Sequence, residues 1–142
     1  MTYRTVMPPD AKALLDGDGW AYLDVRTPEE YAAGHVPGAY NVPVFVRGPR
    51  GMSENPDFVR VVRAHFAPGT QLVVGCAMGG RSAQACEILS AQGYQGLANM
   101  QCGFSGTRDA SGQVVPGWQG LGYAVEKAPA AGRSYAELAK RT

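Results

Sequence analysis

The sequence has few of the residues that mark several large classes of protein. Its 142 residues include three cysteines and two histidines, and the charged side chains nearly cancel to a formal net charge of +1. Widely separated cysteines give neither the disulfide framework of a small secreted domain nor the close ligand spacing of a zinc site. A balanced charge gives no indication of a nucleic-acid partner. We therefore expect free thiols, no metal and no nucleic acid.

Long apolar runs are also missing. The longest, such as residues 72–74, are far too short to cross a bilayer. No apolar segment follows the first four residues, so a signal peptide is not expected either. Apolar residues make up 45% of the chain and charged residues 18%, as in globular proteins. The sequence predicts one cytoplasmic globular domain without a membrane partner.

Strand and helix signals alternate through most of the chain. This alternation predicts an α/β fold, in which a mostly parallel, five-stranded central sheet has helices on both faces. Residues 47–55 and the polar insert 105–113 are predicted to be irregular, and a capping-box pattern at residues 134–137 predicts a short C-terminal helix. The predicted strands cover residues 3–6, 20–25, 39–42, 71–74 and 96–100, and the predicted helices begin near Pro8, Thr27, Asn55 and Ser82.

A cysteine follows one predicted strand at the edge where parallel sheets bind ligands. Cys76 precedes two glycines, Arg81 and a predicted helix start at Ser82. Such a loop can turn its amides inward, and together with the positive end of the helix they stabilise a thiolate. Neither histidine belongs to this segment or to residues 24–26, which end a neighbouring strand, so no cysteine–histidine pair is indicated. The alternative is that Cys76 is an ordinary buried cysteine.

Three segments, in order, resemble the rhodanese family of sulfurtransferases. They are residues 23–31, residues 34–43 and residues 76–82, and residues 51–58 are similar to the plant-type single-domain members. The resemblance extends over roughly residues 3–125. It implies a rhodanese domain at residues 1–127, followed by a C-terminal extension at residues 128–142.

The resemblance implies a role for each residue of the loop. Cys76 is expected to take a sulfane sulfur from thiosulfate and to pass it to cyanide, a thiol or a protein acceptor, without a cofactor. Arg81 is expected to attract the anionic donor. The backbone amides that would hold the sulfur belong to Ala77, Met78, Gly79, Gly80 and Ser82.

The other charged residues of the family signatures are expected to be structural. Charges at the end of a strand and beside a helix start usually pair and fix a loop. We assign this supporting role to Asp24, Arg26, Glu30 and His35.

The sequence departs from the family pattern after the last predicted strand. Cys102 precedes Gly103 where the family often has two glycines, and the tryptophan expected nearby is delayed to Trp118 by the polar insert. Cys102 either fills a small space or acts as a resolving thiol that attacks or protects oxidised Cys76.

Two other functions stay open. A cysteine-dependent phosphatase or arsenate reductase has a similar loop, but related phosphatases have five residues between cysteine and arginine, whereas this chain has four, residues 77–80. A sulfur carrier or interaction module without turnover is the second alternative, and an assay with thiosulfate and cyanide separates it from an enzyme.

Overall fold

The computed structural model of the protein describes residues 3–142. Five parallel strands form its central sheet in the order β1-β7-β6-β2-β3, which confirms the predicted α/β fold. In chain order the elements are β1 (Arg4–Val6), α1 (Pro8–Gly17), β2 (Ala21–Asp24), α2 (Pro28–Ala33), β3 (Tyr40–Asn41), β4 (Phe45–Gly48), β5 (Gly51–Glu54), α3 (Phe58–His65), β6 (Leu72–Gly75), α4 (Gly80–Ala91), β7 (Leu97–Met100), β8 (Thr107–Arg108), β9 (Val114–Val115) and α5 (Tyr135–Lys140).

The middle strand, β6, carries the apolar run of the sequence and is buried on both faces. Leu72 and Val74 pack in one cluster with residues of α3, α4 and α5, whereas Val73 packs in a second cluster with residues of α1 and α2. Because successive side chains of a strand point to opposite faces, the sheet has helices on both sides, as predicted. Val74 pairs with Leu23 of β2 and with Asn99 of β7, so the ends of these three strands meet at one edge.

Helix starts differ in how well the sequence predicts them. The capping box at α2 forms as predicted: the Glu30 amide donates to the Thr27 hydroxyl, and the Thr27 amide donates to the Glu30 carboxylate. At α5 the helix forms but the predicted capping box does not, because Ser134 makes no side-chain cap. The Glu137 carboxylate accepts from the Gly132 amide at 2.6 Å instead, so it holds the preceding turn.

The two predictions of irregular chain are wrong, because each segment contributes to an antiparallel hairpin. Strands β4 and β5 pair from Phe45–Glu54 to Gly48–Gly51, so the residues between these strands form the turn of a hairpin instead of part of an irregular loop. Strands β8 and β9 pair across the polar insert, and the Asp109 carboxylate holds their turn by accepting from the amides of Ser111 and Gln113.

The C-terminal residues pack on the same core as the rest of the chain. Leu138 is buried in the cluster that contains α3, and the Asn41 amide of β3 donates to the Arg133 carbonyl at 2.9 Å. His35 and Glu126 form an isolated antiparallel bridge that ties the end of the predicted domain back to residues after α2. None of the helices between residues 3 and 142 is long and apolar enough to cross a membrane.

Candidate functional site

Cys76 follows β6 directly, and its sulfur faces the first turn of α4. The Gly79 amide donates to Cys76 Sγ at 3.0 Å, and the Cys76 thiol donates to the Ser82 hydroxyl at 3.4 Å. The Cys76 residue is only 2% exposed. Because α4 has twelve residues and starts at Gly80, its positive end lies beside this sulfur and favours a negative charge there.

The structure brings two of the five predicted loop residues into contact with the sulfur, Gly79 through its amide and Ser82 through its side chain. Gly79 has a φ of +114°, a conformation that glycine adopts without strain. The Met78 side chain lies on the outside of the loop and is 57% exposed. The glycine signal in the sequence therefore corresponds to a turn that aims one amide at the nucleophile.

A second loop, residues 102–106, supports the first from behind. The Phe104 amide donates to the Cys76 carbonyl, and the Ser105 amide donates to the Ala77 carbonyl, both at 2.8 Å. Gly103 permits this approach, since a Cβ built there would lie 2.4 Å from the Cys76 carbonyl oxygen. The displaced tryptophan also returns to this loop: Trp118 is buried, and its amide donates to the Gly103 carbonyl at 2.9 Å. The insert thus leaves the support of the site intact.

Arg81 is held by a two-point ion pair with Glu30. Its Nη1 and Nη2 donate to Glu30 Oε1 and Oε2 at 2.7 and 2.9 Å, which ties the start of α4 to the start of α2. The hydrogen bond from Arg81, with further hydrogen bonds from Thr27, lowers the pKa of Glu30 to about 2. The same hydrogen bond raises the pKa of Arg81, and the charge of Glu30 adds to this effect. Glu30, predicted to be a supporting residue, and Arg81, predicted to bind the donor, therefore form one ion pair.

Asp24 and Arg26 form a buried pair at the end of β2. Arg26 Nε and Nη2 donate to the Asp24 carboxylate at 3.0 and 2.7 Å, and Nη2 also donates to the Gly34 carbonyl at 2.7 Å. The Arg26 guanidinium lies over the Phe104 ring, 4.5 Å from its centroid. This pair consequently connects the end of β2 to the loop that supports Cys76.

His35 follows α2 and is fully buried. Its ring stacks on Tyr31 with centroids 3.8 Å apart, Nδ1 lies 2.8 Å from the Tyr31 carbonyl, and Nε2 lies 3.3 Å from Glu126 Oε1. These contacts hold α2 and the C-terminal segment together, and none of them involves the cysteine loop.

Asn99 is a site residue that sequence reasoning missed. It lies on β7, is 5% exposed, and its Oδ1 accepts a hydrogen bond from the Ser82 hydroxyl. An asparagine within a predicted buried strand is a detectable signal, because a buried amide needs a partner. The identity of that partner depends on the pairing of β7 with β6, which the linear pattern does not contain.

The other two cysteines are buried, and both are free. Burial raises the pKa of the Cys86 thiol in α4 to about 12, and burial also raises the pKa of the Cys102 thiol. Cys102 has a φ of +68°, in the left-handed region that favours glycine. Glycine, which the family often has at this position, adopts this conformation without strain.

Two clefts flank the cysteine loop. The first, of about 590 Å³, is lined by Thr27, Glu29, Glu30, Arg47, Met52 and Arg81. The second, of about 480 Å³, is lined by Met78, Ser105, Gly106, Thr107, Arg108 and Val114. Each cleft has a wall from one of the two hairpins that were predicted to be irregular. Within residues 3–142, no three His, Cys, Asp or Glu side chains are grouped in a way that could hold a metal ion.

Comparisons with known proteins agree with this geometry. Residues 7–110 match the model of the rhodanese-like domain. Thiosulfate sulfurtransferase 16, chloroplastic, from Arabidopsis thaliana is 48% identical over 87 residues, which cover 61% of this chain and 72% of that protein. The thiosulfate:glutathione sulfurtransferase of Homo sapiens is 35% identical over 97 residues, 67% of this chain and 84% of that protein.

Solved structures show the same fold. The crystal structure of Rv0390 from M. tuberculosis superposes with a TM-score of 0.73 at 23% identity, covering 90% of this chain and all of that one. Some curated relatives are considerably longer, and the chain spans 56% of one and 55% of another.

Proposed function

The chain belongs to the rhodanese-like family of sulfurtransferases, and we propose that it transfers a sulfane sulfur from thiosulfate through a persulfide on Cys76. The acceptor in this proposal is cyanide or a small thiol. Relatives named for thiosulfate and for glutathione support thiosulfate as the donor and a thiol as an acceptor.

One observation carries the proposal: the Gly79 amide donates to Cys76 Sγ at 3.0 Å, at the positive end of α4. A thiolate at this position is stabilised without a neighbouring general base. The outer sulfur of a persulfide is also an anion, so the same surroundings suit the intermediate.

The proposed reaction has two steps. The Cys76 thiolate attacks the outer sulfur of thiosulfate, a new S–S bond forms, and the old S–S bond breaks as sulfite leaves with its electron pair. Cyanide or a thiolate then attacks the outer sulfur of the persulfide, and the Cys76 thiolate leaves. Atoms and charge balance in both steps, so neither needs a cofactor or an added oxidant.

Initial rates of thiocyanate formation test this proposal. With thiosulfate and cyanide varied together, a two-step transfer through the enzyme gives parallel double-reciprocal lines. We expect Cys76→Ala to lose turnover completely, because the sulfur has no other carrier.

Cys86→Ala is the matched control, since Cys86 is a second free, buried cysteine and lies within α4 rather than in the loop. It should keep wild-type turnover. Turnover in Cys76→Ala would overturn the proposal. Persulfide formation in the wild type without release to either acceptor would favour a sulfur carrier instead.

A further inference from the structure

A buried hydrogen-bond chain leads from the nucleophile to Asn99. Ser82 is fully buried, and its hydroxyl oxygen lies 3.4 Å from Cys76 Sγ and 3.1 Å from the Gly79 carbonyl. The same hydroxyl donates to Asn99 Oδ1. Asn99 lies on an inner strand, where a polar side chain is costly unless it is hydrogen-bonded. Ser82 is thus the link between the sulfur and the amide.

The Ser82 hydroxyl has one proton, so its orientation decides what the sulfur experiences. While this proton is given to Asn99 Oδ1, the hydroxyl presents a lone pair to Sγ. A lone pair can accept the S–H of a thiol, as in the structure, but it repels a thiolate. A thiolate needs the opposite arrangement, in which Ser82 donates to Sγ.

The amide of Asn99 can supply that arrangement by turning. Its Nδ2 makes no hydrogen bond to any of residues 3–142, so half a turn of the amide breaks no bond at that end. After the turn, Nδ2 donates to the Ser82 oxygen, and the Ser82 proton is free for Sγ or for the Gly79 carbonyl, of which the charged thiolate is the stronger acceptor. Asparagine has both a donor and an acceptor on one planar group, which makes this exchange possible without moving the backbone.

We propose that Asn99 is a positioning residue whose amide turns as Cys76 ionises, and so switches Ser82 from accepting the thiol proton to donating to the thiolate. The inference deepens the proposed function, because it concerns the thiolate on which sulfur transfer depends. It does not require transfer to occur, and it is therefore tested on the thiolate alone.

The test is the rate at which iodoacetamide alkylates Cys76 across a range of pH, without any sulfur donor. In Asn99→Asp the side chain can only accept, so it retains the Ser82 proton and opposes the thiolate. We expect alkylation at neutral pH to be about tenfold slower, the value of one charge-assisted hydrogen bond, and the acid limb of the profile to move to higher pH.

Two further variants separate positioning from charge. Ser82→Ala should also slow alkylation about tenfold, and adding Asn99→Asp to it should cost no more than about twofold, because the two residues act in series. If Asn99→Asp slows alkylation by the same factor in the Ser82→Ala background as in the wild type, its charge alone acts on the sulfur and the inference is wrong. Wild-type alkylation in Asn99→Asp would be equally decisive against it.

Folding is monitored in the same experiment, because Cys86 is fully buried within α4 and burial raises its pKa to about 12, so it should stay unlabelled in every folded variant. Should Asn99→Asp not fold, Asn99→Leu carries the test, since it keeps the volume and removes both hydrogen-bonding groups. We expect alkylation to be about threefold slower, because Nδ2 is no longer there to turn the Ser82 proton toward Sγ and away from the Gly79 carbonyl, and this loss should disappear in the Ser82→Ala background. A loss of the same size in both backgrounds would contradict the inference. If the inference fails while thiocyanate formation persists, the proposed function is unaffected.

Discussion

Arg81 and Glu30 set the charge beside the nucleophile as a pair whose formal charges cancel. Arg81→Ala leaves the Glu30 carboxylate unpaired next to an anionic donor, whereas Glu30→Gln leaves the guanidinium unpaired and keeps an oxygen for the Thr27 cap. We predict opposite effects on the KM for thiosulfate: about tenfold higher in Arg81→Ala and about threefold lower in Glu30→Gln.

The control for this prediction is alkylation by iodoacetamide, a neutral electrophile that reports the Cys76 thiolate itself. The change in the KM for thiosulfate, compared with the change in the alkylation rate, isolates the attraction of the anionic donor. A KM that rises in both variants would show that the pair only holds α2 and α4 together.

Cys102 is the second residue whose role can be decided. Its pKa is raised by burial, so little thiolate is present at neutral pH and attack on oxidised Cys76 is slow. After one equivalent of peroxide, we predict oxidation at Cys76 with Cys102 still free in the peptide map. Cys86, also a buried thiol, is the internal reference. A disulfide between Cys76 and Cys102 would contradict this prediction and establish a resolving thiol.

The sequence indicated single residues best where the reason is local. Thr27 and Glu30 are three positions apart and form their capping box regardless of the rest of the fold. Asn99 could not be assigned in this way, because its partner Ser82 is 17 residues away in α4. The two meet because β6, the strand before α4, pairs with β7. The bidentate pair of Arg81 with Glu30 was missed for the same reason.

At the scale of elements, the alternation of strands and helices was predictable because the inner strands β2, β6 and β7 are short, largely buried and followed by a turn signal. The hairpins β4–β5 and β8–β9 were not, because β5 is exposed, the other three strands are at most half-buried, and none has an apolar alternation. Glycine, proline and serine mark a turn but do not show whether the flanking residues pair. These hairpins form walls of the two clefts, so the sequence left the surroundings of the site less well defined than its centre.

The packing of the two loops predicts a strong effect of one methyl group. In Gly103→Ala the new Cβ would lie 2.4 Å from the Cys76 carbonyl oxygen and 2.5 Å from that of Ala77, so the cysteine loop must move. We predict a loss of thiocyanate formation of about tenfold or more, since a displacement near 1 Å has that effect on reacting groups.

Gly112→Ala is the control for backbone conformation. Gly112 also has a positive φ, +84°, but a Cβ there meets nothing within 4 Å. It should lose about 1 kcal/mol of stability from the left-handed backbone and keep its activity. Equal activity losses in the two variants would refute the role of close loop packing.

At the scale of the whole molecule, Arg81 and Glu30 join helices that lie on opposite faces of the sheet. Because the pKa of Glu30 is lowered to about 2, this pair stabilises the folded state fully above the unfolded value of about 4.3 and loses its contribution as the pH falls through about 2. We predict that urea unfolding shows a constant difference in free energy between wild type and Glu30→Gln near neutral pH. The difference should shrink between about pH 4.3 and pH 2.

Glu29→Gln is the comparison, because Glu29 precedes Glu30 in the same first turn and has no ion-pair partner among the described residues. It should show little of this dependence. A difference for Glu30→Gln that persists unchanged to the lowest pH would mean that packing, rather than charge, is lost in that variant.

Sulfur transfer through Cys76 is tested most directly by the intact mass of the protein after brief exposure to thiosulfate and removal of excess donor. We predict one added sulfur atom on the wild type, located on the peptide that contains Cys76 and removed by cyanide as thiocyanate. Cys76→Ala should gain no sulfur, and Cys86→Ala should gain the same single atom as the wild type. An unchanged wild-type mass, or an added sulfur atom in Cys76→Ala, would contradict sulfur transfer through Cys76.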